Sequence, residues 1–237
     1  MDALEPLGEV WVVAPDREQS AASHSISIHR PLRISRVRER WYAVDGTPAD
    51  CAYLGINHLM KDDRPALLVS GINHGANLAD DVTYSGTVAA AREGYILGVT
   101  SISVSLVARR HFDFTCAARF ASSLVKAVLE NGGGKRMLLN VNVPGAPGAE
   151  PKGYRITRLG KRSYGDEVVE NVDPRGRKYY WIGGAEFQHE DIPESDCNAV
   201  IDEGLISVTP MMLGITDESA GAELRTWQMD GFQKPGT

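Results

Sequence analysis

The sequence predicts an α/β protein with a mainly parallel β-sheet and helices on both faces, and three observations carry that reading. Short apolar runs of strand length recur at residues 10–14, 66–69, 101–106 and 137–143, each suited to burial on both faces. Segments with apolar residues at helical spacing separate them, and strand–helix–strand succession implies right-handed crossovers. The third is length: 237 residues, 43% of them hydrophobic and 24% charged, suffice for a sizeable core in one domain.

Taken in order, residues 10–14 form a first strand that runs into the polar loop "APDREQSAASHS". Arg30, Arg33, Arg36, Arg38 and Arg40 fall along a strand pair, by default as a solvated face and otherwise as an attractor of an anionic substrate. Thr47-Pro48-Ala49-Asp50 offers an N-cap, a proline at the first helical position and an acid in the first turn, ahead of Ala52, Ile56, Leu59 and Met60. The next strand ends at Val69, and a glycine-rich loop begins at Ser70. Ser85 stands as the N-cap of a helix whose stripe is Val88, Ala91 and Tyr95. A helix over 114–130 presents Ala117, Phe120, Leu124 and Val128, and Asn131-Gly132-Gly133-Gly134 stops it.

After Pro144 the composition changes. "PGAPGAEPKG" reads as a linker, dividing a core at 1–150 from a second region at 151–237. In that region, β-prone runs flank Asp173-Pro174-Arg175-Gly176, a reversal sequence that predicts an extended β-hairpin. A two-stranded ribbon is marginal in water, so Tyr179, Tyr180 and Trp181 call for a covering surface, most economically a second subunit. Residues 205–209 return as a strand, and Thr216-Asp217-Glu218 caps a last helix bearing Ala220, Leu224 and Trp227.

Several function classes are excluded or disfavoured. A net charge of −6 argues against binding duplex nucleic acid, and no apolar run approaches the length of a membrane span. Cys51, Cys116 and Cys197 are too few and too scattered for a disulfide framework, and the first residues carry no secretory pattern, so a cytoplasmic location is expected. The six histidines lack zinc spacing, no lysine completes a Walker loop, and no Gly-x-Gly-x-x-Gly follows a strand.

Ligands of parallel sheets bind beyond the carboxyl ends of strands, which directs attention to two loops. One carries Asp16, Arg17, Ser20, Ser23 and His24. The other is the stretch "VSGINHGANLADDVTYSGTVAAAREG". Within it Gly75 and Asn77 allow close backbone approach, while Ser85, Gly86 and Thr87 combine free N–H groups, hydroxyls and the positive end of a helix dipole. That is the composition of a phosphate cradle, although a capped helix after a glycine-rich turn has the same composition. Asn73 could ligate a hard cation through its amide oxygen or simply serve a turn. His24, His74 and Asp81 are further candidates by position, and Asp62-Asp63 lies at the wrong end of the sheet.

Together these loops resemble the SurE survival proteins, metal-dependent phosphatases acting on nucleoside monophosphates. The strings that carry the resemblance are "VVAPDREQSAASHSISIHRPL", "GTPADCAYLG", "VSGINHGANLADDVTYSGTVAAAREG", "LNVNVP", "DPRGRKYYWIGG" and "DEGLISVTP". They span nearly the whole chain. The resemblance implies a Rossmann-like core, a C-terminal arm exchanged between subunits, a homodimer or homotetramer, and a magnesium or manganese ion held partly by Ser20 and Asn73. It also implies an Asn-Asp-Asp-Gly loop after a strand preceding "DALEPLGEV", leaving this sequence without the family's catalytic acid pair and its sheet with exposed edges. No catalytic residue is therefore assigned within it, and little turnover is expected of this chain alone. A nucleotide- or phosphate-binding oligomer without catalysis is the alternative.

Overall fold

The computed structural model describes residues 1–108, 112–145, 150–163, 168–182 and 188–228. Its strands are β1 (Val12–Pro15), β2 (Ile34–Arg38), β3 (Trp41–Val44), β4 (Leu67–His74), β5 (Thr100–Val107), β6 (Leu138–Pro144), β7 (Tyr154–Ile156), β8 (Arg162–Ser163), β9 (Val168–Val172), β10 (Lys178–Ile182), β11 (Gln188–His189) and β12 (Ile206–Pro210). The helices are α1 (Pro48–Leu54), α2 (Gly86–Ile96), α3 (Thr115–Asn131) and α4 (Glu218–Leu224).

The central sheet has the order β4-β5-β6-β12-β7. Its first three strands are parallel, and β12 reverses direction against β6 before pairing in parallel with β7. The first strand does not join this sheet. β1 pairs in parallel with β3, and β2 closes a separate three-stranded sheet, so β1 and β4 each stand at a sheet edge.

Strand β5 explains why helices cover both faces. Successive side chains of a strand point to opposite sides. Ile102, Val104 and Leu106 therefore face one way, into a core shared with Leu139, Val141 and Val143 of β6 and with Ala117, Ala121 and Val125 of α3. Ser101, Ser103 and Ser105 face the other way, and all three are buried. There α2 lies close against the sheet: a Cβ on Gly94 would sit 2.5 Å from the Ser101 hydroxyl. Small residues on both surfaces permit that approach, and α2 is correspondingly buried along Val88, Ala89, Ala90 and Ala91. The expectation of strands buried on both faces holds for β5 and β6, with one face apolar and the other rich in small hydroxyl and amide groups, whereas the edge strands β1 and β4 are only partly buried.

Local capping follows the sequence. Thr47 and Asp50 form a reciprocal capping box at α1, with Pro48 in the first turn. Burial alone would raise the Asp50 carboxyl, but N–H groups of Ser27 and Thr47, joined by their hydroxyls, outweigh it and hold Asp50 below the usual range. Gly132, Gly133 and Gly134 follow α3, the last two with positive φ.

One boundary differs from expectation. Strand β4 continues past Val69 to His74, with its register against β5 interrupted between Ser70 and Asn73. Gly71 makes this possible: its φ is +131°, and a Cβ there would lie 2.3 Å from the Val104 carbonyl oxygen of β5. What reads as a loop is an irregular strand, so Asn73 sits at a strand end.

β9 and β10 form the antiparallel hairpin, with Asp173 accepting from the backbone N–H groups of Arg175 and Arg177 across the turn. Every residue of both strands is exposed. β8 and β11 pair antiparallel on either side of it in sequence. Residues 146–149 of the expected linker and 229–237 of the expected arm lie outside the described residues.

Candidate active site

The site lies where β1 and β4 deliver their carboxyl ends to the start of α2. Ser85 is the N-cap of α2, and its hydroxyl oxygen accepts from the Val88 N–H at 3.1 Å. That hydroxyl keeps its own hydrogen to donate. The first N–H groups of the helix have no intrahelical acceptor, and the dipole adds positive potential. Thr87 Oγ1 donates to Asn73 Oδ1 at 3.3 Å, joining the strand end to the first turn of the helix.

The loop after β1 closes over the same place. Ser23 donates its N–H to the Tyr84 carbonyl at 3.0 Å and its hydroxyl to the Thr83 carbonyl at 2.8 Å. His24 Nε2 shares a 2.8 Å hydrogen bond with Glu93 Oε2, a carboxylate 7% exposed on α2. A Cβ on Gly86 would lie 2.9 Å from Pro48 Cγ and 3.5 Å from the Gln19 carbonyl oxygen. The starts of α1 and α2 therefore abut, and Gly86 is needed for that approach independently of any ligand.

Each predicted site residue thus has a place. Ser20, exposed on this loop, donates from Oγ to Glu18 Oε1 at 2.7 Å. Asn73 also donates from Nδ2 to the Gly75 carbonyl at 3.1 Å, and Gly75 has φ +106° with open space where a Cβ would be. Asn77 is buried: its amide donates to Ser105 Oγ, its backbone N–H donates to Asn142 Oδ1, and its carbonyl accepts from Asn140 and Asn142. His74 packs in an aromatic group, its ring centroid 4.7 Å from Phe112 and 5.0 Å from Phe114. Asp81 is ion-paired with Arg162. Burial, then the neighbouring carboxylates Asp80 and Asp196, push Asp81 up to about 6.

Sequence reasoning did not single out Glu93, Asn140, Asn142, Arg162 or Asp196. For the two asparagines a signal existed: "LNVNVP" places amides at alternate positions of a buried strand, where each must find a partner. Asp196 and Arg162 show no local pattern.

A magnesium or manganese ion would have Ser20 and Asn73 as donors. Both are neutral oxygens, whereas hard divalent cations draw on carboxylates for charge compensation. Among the described residues no group of three His, Cys, Asp or Glu side chains gathers to hold a metal. These donors do not by themselves fit such an ion.

Comparison with known proteins bears on the family and the fold. A family model described as "Survival protein SurE" matches residues 1–166. A 5'-nucleotidase SurE of Myxococcus xanthus is 68% identical over 234 residues, covering 99% of this chain and 88% of the relative. One of Anaeromyxobacter dehalogenans is 59% identical over 227 residues, covering 95% and 88%. Among solved structures, the crystal structure of the SurE protein from Aquifex aeolicus superposes with a TM-score of 0.84 at 41% identity, covering 95% of this chain and 91% of that one.

Proposed function

The chain belongs to the survival protein SurE family, and on that premise we propose that it is a 5'-nucleotidase, hydrolysing nucleoside 5'-monophosphates to nucleoside and phosphate. The observation that supports this reading most directly is the meeting of three elements: the Ser20 loop, the Asn73 strand end and the Ser85–Gly86–Thr87 start of α2. Phosphate oxygens would accept from the first N–H groups of α2 and from the Ser85 hydroxyl, and from the Thr87 hydroxyl once it turns from Asn73 Oδ1 to the ligand, with the helix dipole favouring the dianion. Gly75 and Asn77 shape the loop that carries this cradle. Ser20 and Asn73 would contribute to a divalent cation only alongside carboxylates they do not themselves provide.

Phosphate release from AMP and other nucleoside monophosphates, measured on the full gene product with magnesium or manganese, tests the reading. Replacing both Ser85 and Thr87 by Ala is expected to raise KM at least tenfold, about 1.4 kcal/mol of lost phosphate binding. Absence of phosphate release from every nucleoside monophosphate would overturn the assignment. The neutral donor pair favours one second reading, nucleotide binding without turnover. Calorimetry would separate them, since that reading requires binding that is indifferent to the metal.

Assembly is part of the same proposal. Val168, Val172, Tyr180, Trp181 and Ile182 are all more than half exposed on the hairpin, with Ile182 at 93%. A homodimer or homotetramer formed through the hairpin and the C-terminal arm would cover them. Sedimentation is expected to show an oligomer that Trp181→Asp shifts toward monomer; a monomeric unaltered protein would refute the interface. Among the described residues no helix is long and apolar enough to cross a membrane. A cytoplasmic site of action is proposed, in keeping with three cysteines that form no disulfide.

A further inference from the structure

Between Asn77 and Ser85 the chain runs from β4 to the phosphate cradle as a loop with one short 3-10 turn, Ala79–Thr83. Such a loop would ordinarily be pliable, yet Leu78 and Ala79 are almost completely buried. They pack with Cys197 and Val200, residues more than a hundred positions further along the chain.

Polar bonds reinforce this packing. Asp196 is fully buried, and its carboxylate accepts three backbone N–H groups: Ala79 at 2.9 Å, Gly160 at 2.7 Å and Cys197 at 2.9 Å. Ala79 has φ +49°, an unfavourable conformation for a residue with a Cβ, which persists because its burial and the Asp196 bond hold it there. Two residues on, the Asp81 carboxylate meets the Arg162 guanidinium, and both side chains are about 15% exposed. The Asp81 carbonyl in turn accepts the Ser85 N–H at 3.1 Å and the Tyr84 N–H at 3.0 Å. The linkage is therefore continuous: Arg162 holds the Asp81 side chain, the Asp81 backbone holds Ser85, and Ser85 caps α2.

Gly160 leads into β8, whose first residue is Arg162, and Asp196 follows β11; these two strands flank the exposed hairpin in sequence. We propose that Asp81, Arg162 and Asp196 are positioning residues that fix the phosphate cradle against β8 and the segment after β11, so that the second region of the chain sets the geometry with which phosphate is held. The substrate class does not change; what is added is the group of residues on which its affinity depends. Breaking a largely buried ion pair on one side leaves an uncompensated charge, which the loop would relieve by moving. Movement of Asp81 displaces Ser85 directly.

The inference rests on the cradle holding phosphate, and its test keeps the two apart. Inorganic phosphate is titrated calorimetrically into the unaltered protein, Asp81→Asn, Arg162→Met and Arg162→Lys. Partial unfolding would reduce the stoichiometry and leave the affinity of the remaining sites intact. Misplacement of the cradle weakens affinity at unchanged stoichiometry. Asp81→Asn and Arg162→Met are each expected to weaken phosphate binding about tenfold at full stoichiometry, with the double variant no weaker than either single one. Arg162→Lys should recover to within about threefold, since an ammonium restores the charge without the fork. Unchanged affinity in Asp81→Asn and Arg162→Met, whatever their stoichiometry, overturns the proposal, as does strict additivity in the double variant. No phosphate binding by the unaltered protein would overturn the cradle, and this inference with it.

Discussion

Gly71→Ala is expected to destabilise the protein by about 3 kcal/mol, the sum of an overpacked contact and a strained backbone. The contact is with main chain: the added Cβ would stand 2.3 Å from the Val104 carbonyl oxygen, in the middle of the adjoining strand. Nothing flexible is there to yield. The φ of +131° adds strain that alanine cannot relieve by rotating a side chain. In urea, with a slope of about 2–3 kcal/mol/M for a chain of this size, the unfolding midpoint should fall by about 1 M. Where the variant still folds, Asn73, two residues on, will have moved relative to Thr87, and phosphate binding should weaken as well. A midpoint within error of the unaltered protein would show that β4 can shift away from β5 at little cost, contrary to the packing described.

Asn142→Ala is expected to cost a similar amount for a different reason. The Asn142 side chain is fully buried, accepts the Asn77 N–H at 2.8 Å and donates to the Asn77 carbonyl at 3.0 Å. Truncation leaves a buried N–H without its acceptor and opens a small cavity beneath the loop, together about 3 kcal/mol. Asn140 also donates to the Asn77 carbonyl, so that oxygen keeps one partner. Removing both asparagines should therefore cost more than the two single losses combined, by about 1 kcal/mol, in a double-mutant cycle read by urea unfolding. Additivity, or a loss below about 0.5 kcal/mol for Asn142→Ala, would mean that water replaces these bonds freely.

These two sites also mark how much the sequence could reveal. Interactions closed within four residues were legible: the Thr47 and Asp50 capping box, the Ser85 cap on Val88 and the Asp173 turn of the hairpin all appear as read. Interactions closed by distant partners were not. Gly71 resembles the start of a loop because a glycine carries no mark of what crowds it, and here that is a carbonyl 33 residues away. Asn77 has the composition of a ligand, yet its polar groups are taken up by Ser105, Asn140 and Asn142. The separate sheet of β1 with β2 and β3 depends on a parallel pairing of Val12 with Trp41, which periodicity along either strand cannot disclose. For the candidate site, the cradle and its two flanking loops were readable as polar, glycine-rich strand exits. The supports beneath them, Glu93, Arg162 and Asp196, were not, because a buried charge is recognised by its partner rather than by its neighbours in sequence.

The two unlike faces of β5 also constrain how the molecule can misfold. Serine occupies every second position from Ser101 to Ser105, and Ile102, Val104 and Leu106 occupy the alternate ones. A slip of one residue against β4 or β6 would turn three hydroxyls into the apolar layer under α3 and press three branched side chains against α2, where even one methyl on Gly94 lacks room. Both errors penalise the same mistake, and no repacking of one layer corrects the other. Two-residue slips preserve the faces but take Asn140 and Asn142 away from Asn77. Pairing in the wrong register is therefore penalised twice over in the strands beneath the proposed phosphate cradle, where an inserted or deleted residue is expected to be poorly tolerated.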